Sequence, residues 1–187
     1  MKPSKTKVKK VPFSKLSKAK KRVAIAKDVL KQIRVGKYIA NKGKYISRVD
    51  APDIEDVYYQ SDIKKNFSKI KNCNVCAMGA CLMSATKFAN KLKFQDIGSG
   101  VGDLNNPKVK DLFKSIFSPE QLLLIERAFE DKTGGSTVGC DVFGLEEWDF
   151  EKQIQKCSEF YGEYNNDETR LIGIMNNIIK NKGTFKP

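Results

Sequence analysis

From Ser14 onward, apolar residues recur at alternating steps of three and four: Leu16, Ala19, Val23, Ala26, Leu30 and Ile33. That spacing places them on one stripe of a helix that closes at Gly36, with Ser14 as its N-cap and Ile25 and Val29 widening the stripe. Three heptads favour packing on a core over a coiled coil. The period then changes. Two Tyr-Ile runs flank Asn41-Lys42-Gly43, which predicts a β-hairpin near residues 37–47 with a left-handed Gly in its turn. Ser61-Asp62 predicts the cap of a short helix carrying Ile63, Phe67 and Ile70, and the small and apolar residues after Asn74 predict a more buried one.

Pro107 suits the first turn of a helix with Val109, Leu112, Phe113 and Ile116 at helical spacing. Ser118-Pro119-Glu120-Gln121 is the strongest local signal, a capping box opening a helix that buries Leu122, Leu123, Ile125 and Phe129. Residues 134–144 read as an irregular loop, with Leu145, Trp148 and Phe150 anchoring it before a helix with Ile154, Cys157 and Phe160. Asp167-Glu168 open a last helix that Asn181-Lys182-Gly183 closes. The fold class that follows is mainly α with one short β-hairpin. It is a single compact multi-helix domain over 14–187, carrying a flexible basic arm over 1–13 where Pro3, Pro12 and like charges disfavour packing.

Charge changes the picture most. The first 48 residues carry 17 Lys+Arg against one acid, Asp28, a net +16; residues 49–187 carry 18 against 21, a net −3. So lopsided a charge points to a partner with a dense negative surface, most commonly nucleic acid. Fourteen of the 17 are lysines, which meet phosphates as point charges, so the attraction is salt-sensitive and non-specific. The candidate binding residues are Lys2, Lys5, Lys7, Lys9 and Lys10 in the arm and Lys15, Lys18, Lys20, Lys21 and Arg22 at the helix start. Lys37, Tyr38, Lys42, Lys44 and Tyr45 join them from the hairpin, where aromatics interleave with charge as in single-strand binders. The plainer reading of that hairpin, and the one the residues favour, packs the tyrosines on the core and leaves the lysines in water.

The chemistry on offer is thin. Histidine is absent, which removes Ser-His and Cys-His nucleophile pairs and imidazole metal ligands. Cys73, Cys76, Cys81, Cys140 and Cys157 lack the paired spacing of a zinc site, so structural burial is the expectation and no metal is assigned. Gly98-Ser-Gly-Val-Gly102 matches neither phosphate-loop signature and reads as a loop. Glu126, Glu130, Asp131, Asp141, Glu146, Glu147, Asp149 and Glu151 form an acidic region; a solvated face is expected, and docking of the basic helix on it is the competing reading. No catalytic residue and no cofactor is assigned. The longest apolar run is too short to span a bilayer, and the basic N-terminus leads into more lysines rather than an apolar segment, so no secretory signal is expected.

The runs Val23-Ala-Ile-Ala-Lys-Asp-Val-Leu30, Cys73-Asn-Val-Cys-Ala-Met-Gly-Ala80, Phe117 to Phe129 and Arg170 to Pro187 occur in this order. Over about residues 20–187 the chain resembles a group of small uncharacterised proteins of tailed phages and other large DNA viruses. The resemblance implies a viral origin and a compact helical fold, and brings no activity or catalytic residues. The expectation is a non-enzymatic accessory protein, in the host cytoplasm or packaged in the virion, that associates with nucleic acid through its lysine-rich N-terminal region and not with membranes. The alternatives are a module that binds a viral or host protein and, behind it, a pocket protein for a small phosphate-bearing ligand. The oligomeric state is not legible in the sequence.

Overall fold

The computed structural model describes residues 11–43, 45–50, 62–89, 92–97, 106–130, 145 and 150–187. Its elements are α1 (Lys18–Arg34), β1 (Tyr38–Ala40), β2 (Ile46–Asp50), α2 (Ile63–Asn66), β3 (Asn72–Val75), α3 (Ala77–Ala89) and α4 (Phe94–Ile97). They continue with α5 (Pro107–Lys114), α6 (Pro119–Glu130), α7 (Glu151–Gly162) and α8 (Asp167–Lys180). The protein is mainly α, with one small three-stranded sheet.

The first helix begins later than Ser14. Pro12 and Phe13 open a short 3-10 turn, with Lys15 N–H donating to the Pro12 carbonyl at 3.0 Å and Leu16 N–H to the Phe13 carbonyl at 3.1 Å. Ser17 is then the extended residue whose hydroxyl accepts from Lys20 N–H at 3.4 Å, so Ser17 is the cap. The folded part thus includes Phe13, inside the segment expected as arm. The end of α1 is as expected: Gly36 takes φ +70°, a left-handed stop. One face of α1 buries Ile25, Ala26, Val29 and Ile33. Asp28 lies on that face too and accepts from Lys87 Nζ at 2.5 Å and Gln32 Nε2 at 3.1 Å.

The hairpin does not form. The sheet order is β1-β3-β2: β3 enters between the two Tyr-Ile strands, parallel to β1 (Tyr38 opposite Cys73) and antiparallel to β2 (Ile46 opposite Val75). Two features explain the substitution. As the middle strand, β3 pairs both of its edges, which a β1–β2 hairpin would leave unpaired. And the chain before β2 is drawn across the start of α3, where Cys76 N–H donates to the Tyr45 carbonyl at 3.3 Å. That approach is open only because residue 79 is Gly; a Cβ there would sit 1.7 Å from the Tyr45 oxygen. The left-handed Gly43 (φ +72°) is present, but β2 after it pairs with β3 and not with β1.

Helix α3 is buried from Ala77 to Thr86 and occupies the centre, packed by α1, α2, α5 and α6. Helix α6 lies against α3, α7 and α8, and α8 returns to cover α1. Pro107 opens α5 as expected, behind an Asn106 cap. At α6 half of the capping box is made: Ser118 Oγ accepts from Gln121 N–H at 3.4 Å. The Gln121 side chain instead clamps the C-terminal tail, accepting from Phe185 N–H at 2.6 Å and donating to the Phe185 carbonyl at 3.1 Å, which holds the Phe185 ring in the core.

Candidate nucleic-acid interface

Helix α1 sorts its cations by face. At 3.6 residues per turn, Lys20, Lys27, Lys31 and Arg34 fall within roughly 60° of one another, opposite the face that meets α8 and α3. All four side chains are exposed, and among the described residues none of them forms a salt bridge. From Lys20 to Arg34 the ridge runs about 21 Å at 1.5 Å per residue. The apolar period required this outcome, since a helix that buries one stripe must show the other to water.

The remaining candidates divide into three groups. Lys2, Lys5, Lys7, Lys9, Lys10 and Lys44 lie outside the described residues. Lys15 and Lys20 are exposed, and Lys18 is exposed with its ammonium on the Lys114 carbonyl at 2.9 Å, at the end of α5. The third group is used inside the fold. The Arg22 guanidinium donates to the Gly183 carbonyl through Nε and to the Ile116 carbonyl at 2.7 Å, and partial burial pulls its pKa down. Lys37 Nζ donates to the Phe67 carbonyl at 2.8 Å above the Phe67 ring, and burial lowers its pKa as well.

Tyr38 and Tyr45, at 2% and 5% exposure, are core residues and offer no face to a base. The Tyr38 hydroxyl meets Ser84 Oγ at 3.2 Å, and burial drives its pKa up. This corrects their assignment as stacking residues; the alternation of β1 turns Tyr38 inward, and Tyr45 is buried just ahead of β2, as the plainer reading had it. Lys21 sits half-buried, 5.9 Å from the centre of the Phe13 ring.

Lys42 marks where acidic and basic regions meet. Its backbone N–H donates to Asp167 Oδ2 at 2.7 Å, its ammonium to the Tyr161 hydroxyl at 3.3 Å, and the next N–H, of Gly43, to Glu130 Oε2 at 2.8 Å. Arg170 lies beneath, bound to Asp167 at 2.8 Å and stacked 3.7 Å from the centre of the Tyr161 ring. The acidic side of the molecule therefore docks the 41–43 turn. It does so with Glu126 and Glu130 buried, not on a solvated face; Arg127 is buried between them. Asp131, Asp141, Glu146, Glu147 and Asp149 lie outside the described residues, and Glu151 is exposed.

Cys73, Cys76, Cys81 and Cys157 are free and buried, while Cys140 lies outside the described residues. Burial pushes the Cys73, Cys81 and Cys157 thiols up to about 12 and the Cys76 thiol higher still, the opposite of an activated nucleophile. Among the described residues no group of three or more His, Cys, Asp or Glu is placed to hold a metal ion. None of the described helices is long and apolar enough to cross a membrane. The Gly98–Gly102 loop lies outside the described residues. No protein-family model, curated protein or solved structure matches the chain.

What sequence reasoning missed are Lys27, Lys31 and Arg34. Their signal was available: they share the helical angle of Lys20, while Arg22, two residues on, points the other way.

Proposed function

We propose that this chain is a non-enzymatic accessory protein, viral by its resemblance, that associates with nucleic acid through phosphate contacts of its N-terminal region. The observation that carries the reading is the exposed ridge of Lys20, Lys27, Lys31 and Arg34, held on one face of α1 with no salt bridge to a described residue. Successive steps along it of roughly 10, 6 and 4.5 Å line up four cations in a row that can follow a phosphate backbone, and the lysines of residues 2–10 precede it in the sequence. Point charges without bidentate geometry support affinity without base readout.

The test is a salt series on a mixed-sequence DNA duplex with the full chain and with Lys20→Gln, Lys27→Gln, Lys31→Gln and Arg34→Gln combined. Loss of four phosphate contacts is expected to flatten the slope of log K against log salt by about 3.6. An unchanged slope sinks the ridge as the interface. A second variant lacking residues 1–10 measures the arm. A deletion reaching Val23 would also remove Arg22 and its two carbonyl bonds, and so would confound binding with folding.

A second reading, a module that binds a protein surface, draws support from Val35 and Ile39. They are 61% and 46% exposed at the end of the same ridge and offer apolar area beside its charge. A partner complex that survives nuclease and is lost on Val35→Ser, Ile39→Ser favours it.

A further inference from the structure

Aromatic pairs in the core meet edge-on or tilted: Tyr38–Phe67 at 82°, Phe113–Phe117 at 66°, Phe160–Phe185 at 87°. One described pair is different. Phe13 and Phe88 are parallel within 16°, centres 4.8 Å apart, and both are only half-buried. They line a cavity of about 530 Å3 between the 3-10 turn, α1, α2 and the ends of α3 and α5, walled also by Pro12 and Leu112. Lys21 from α1 and Lys64 from α2 contribute to it. In the sequence, Pro12 on its wall closely follows the lysines of residues 2–10.

We infer that this cavity seats one unpaired nucleotide of a single-stranded nucleic acid, its base against the Phe13–Phe88 stack and its phosphates at Lys21 and Lys64. The inference rests on the nucleic-acid reading above and assigns it a strand type. Flat aromatic faces flanked by cations are what single-strand binders use, because every base offers a π-face and every linkage a charge. The cavity exceeds the bulk of one nucleotide, and its mixed apolar and cationic wall matches a base joined to an anion. Orientation follows from how the lining divides: Lys21 and Lys64 supply its cations, while Pro12, Phe13, Phe88 and Leu112 supply an apolar wall. The phosphate therefore belongs at the lysines and the base at the wall.

The test compares a twelve-residue thymidine strand, a twelve-pair duplex and thymidine monophosphate on the full chain, with wild type, Phe13→Leu and Lys64→Gln. Phe13→Leu keeps apolar bulk and removes the stacking face. The single strand is expected to bind at least fivefold more weakly to Phe13→Leu, with duplex affinity within twofold of wild type. Lys64→Gln is expected to flatten the single-strand salt slope by about 0.7. Photocrosslinking of a 5-iodouridine strand to wild type provides a readout independent of folding, with adducts expected on Phe13 or Phe88.

Unchanged single-strand binding by Phe13→Leu, or adducts confined to the α1 ridge, overturns the cavity while leaving phosphate binding by the ridge intact. An equal loss on duplex shows that Phe13 anchors the turn and takes no base. Monophosphate binding as tight as the strand's overturns the strand in favour of a free nucleotide. Failure of wild type to bind any nucleic acid refutes the broader reading itself.

Discussion

Helix α1 carries eight charged residues in 17 and α6 four in 12, and the two helices use them in opposite ways. On α1 the charges of Lys20, Lys27, Lys31 and Arg34 point to water. On α6 the run from Leu122 to Glu130 is buried throughout, Glu126, Arg127 and Glu130 included. The difference lies in the neighbours. Helix α1 is at the edge of the bundle and is covered on one side by α8 and α3, whereas α6 is enclosed by α3, α7 and α8. A charge on a surface helix is available to a partner; a charge on a central helix must find its partner within the chain.

The largest effect that would sharpen this contrast is a core truncation. Phe129→Ala on α6 is expected to destabilise by about 3–5 kcal/mol in urea unfolding, because the ring is fully enclosed. Arg22→Ala comes next, at about 2 kcal/mol, since the carbonyls of Gly183 and Ile116 lose a charged donor; Arg22→Lys is expected to recover only part of it.

Alkaline pH gives a third measure. The Cys73, Cys81 and Cys157 thiols titrate near about 12 in the folded chain against about 8.5 unfolded. A raised acid pKa means that their stability is fully present below pH 8.5 and is lost as pH climbs toward 12. Each thiol is then expected to remove about 1.4 kcal/mol per pH unit within that window. Urea midpoints at pH 8 and 9.5, with Cys81→Ala as the shallower control, check it.

The smallest effect is the one that would break the contrast. Lys27→Gln on the α1 ridge should leave stability within about 0.5 kcal/mol of wild type by the same unfolding assay. A loss as large as that of Arg22→Ala would place Lys27 inside the fold.

The helices were legible because burial writes itself into a 3.6-residue period: α5, α6 and α8 start close to where their caps and first turns predicted, and α7 contains the Ile154, Cys157 and Phe160 expected of it. The sheet was not. Alternation in Tyr38-Ile39-Ala40 and in Ile46-Ser47 tells which face is inward but not which strand lies alongside, and β3 is some thirty residues away. The ridge was half legible, since its lysines were counted but not sorted by angle. The burial of Glu126 and Glu130 could not be read locally, because it depends on α7 and α8 arriving from farther along the chain. Nor was the Phe13–Phe88 stack, whose two members are 75 positions apart.

The clasp between the two ends of the described chain governs its order of manufacture. Arg22 closes on Gly183, and a Cβ at that glycine would meet the Ala19 carbonyl at 2.3 Å, so the first long helix and the last are fitted to each other with no slack. During synthesis, the part of the α1 stripe that α8 covers waits for some 130 residues before α8 begins. At roughly 5–20 residues per second that is an interval of roughly 7–25 s. Throughout it the apolar face that α8 will cover has no partner from the C-terminal end of the chain.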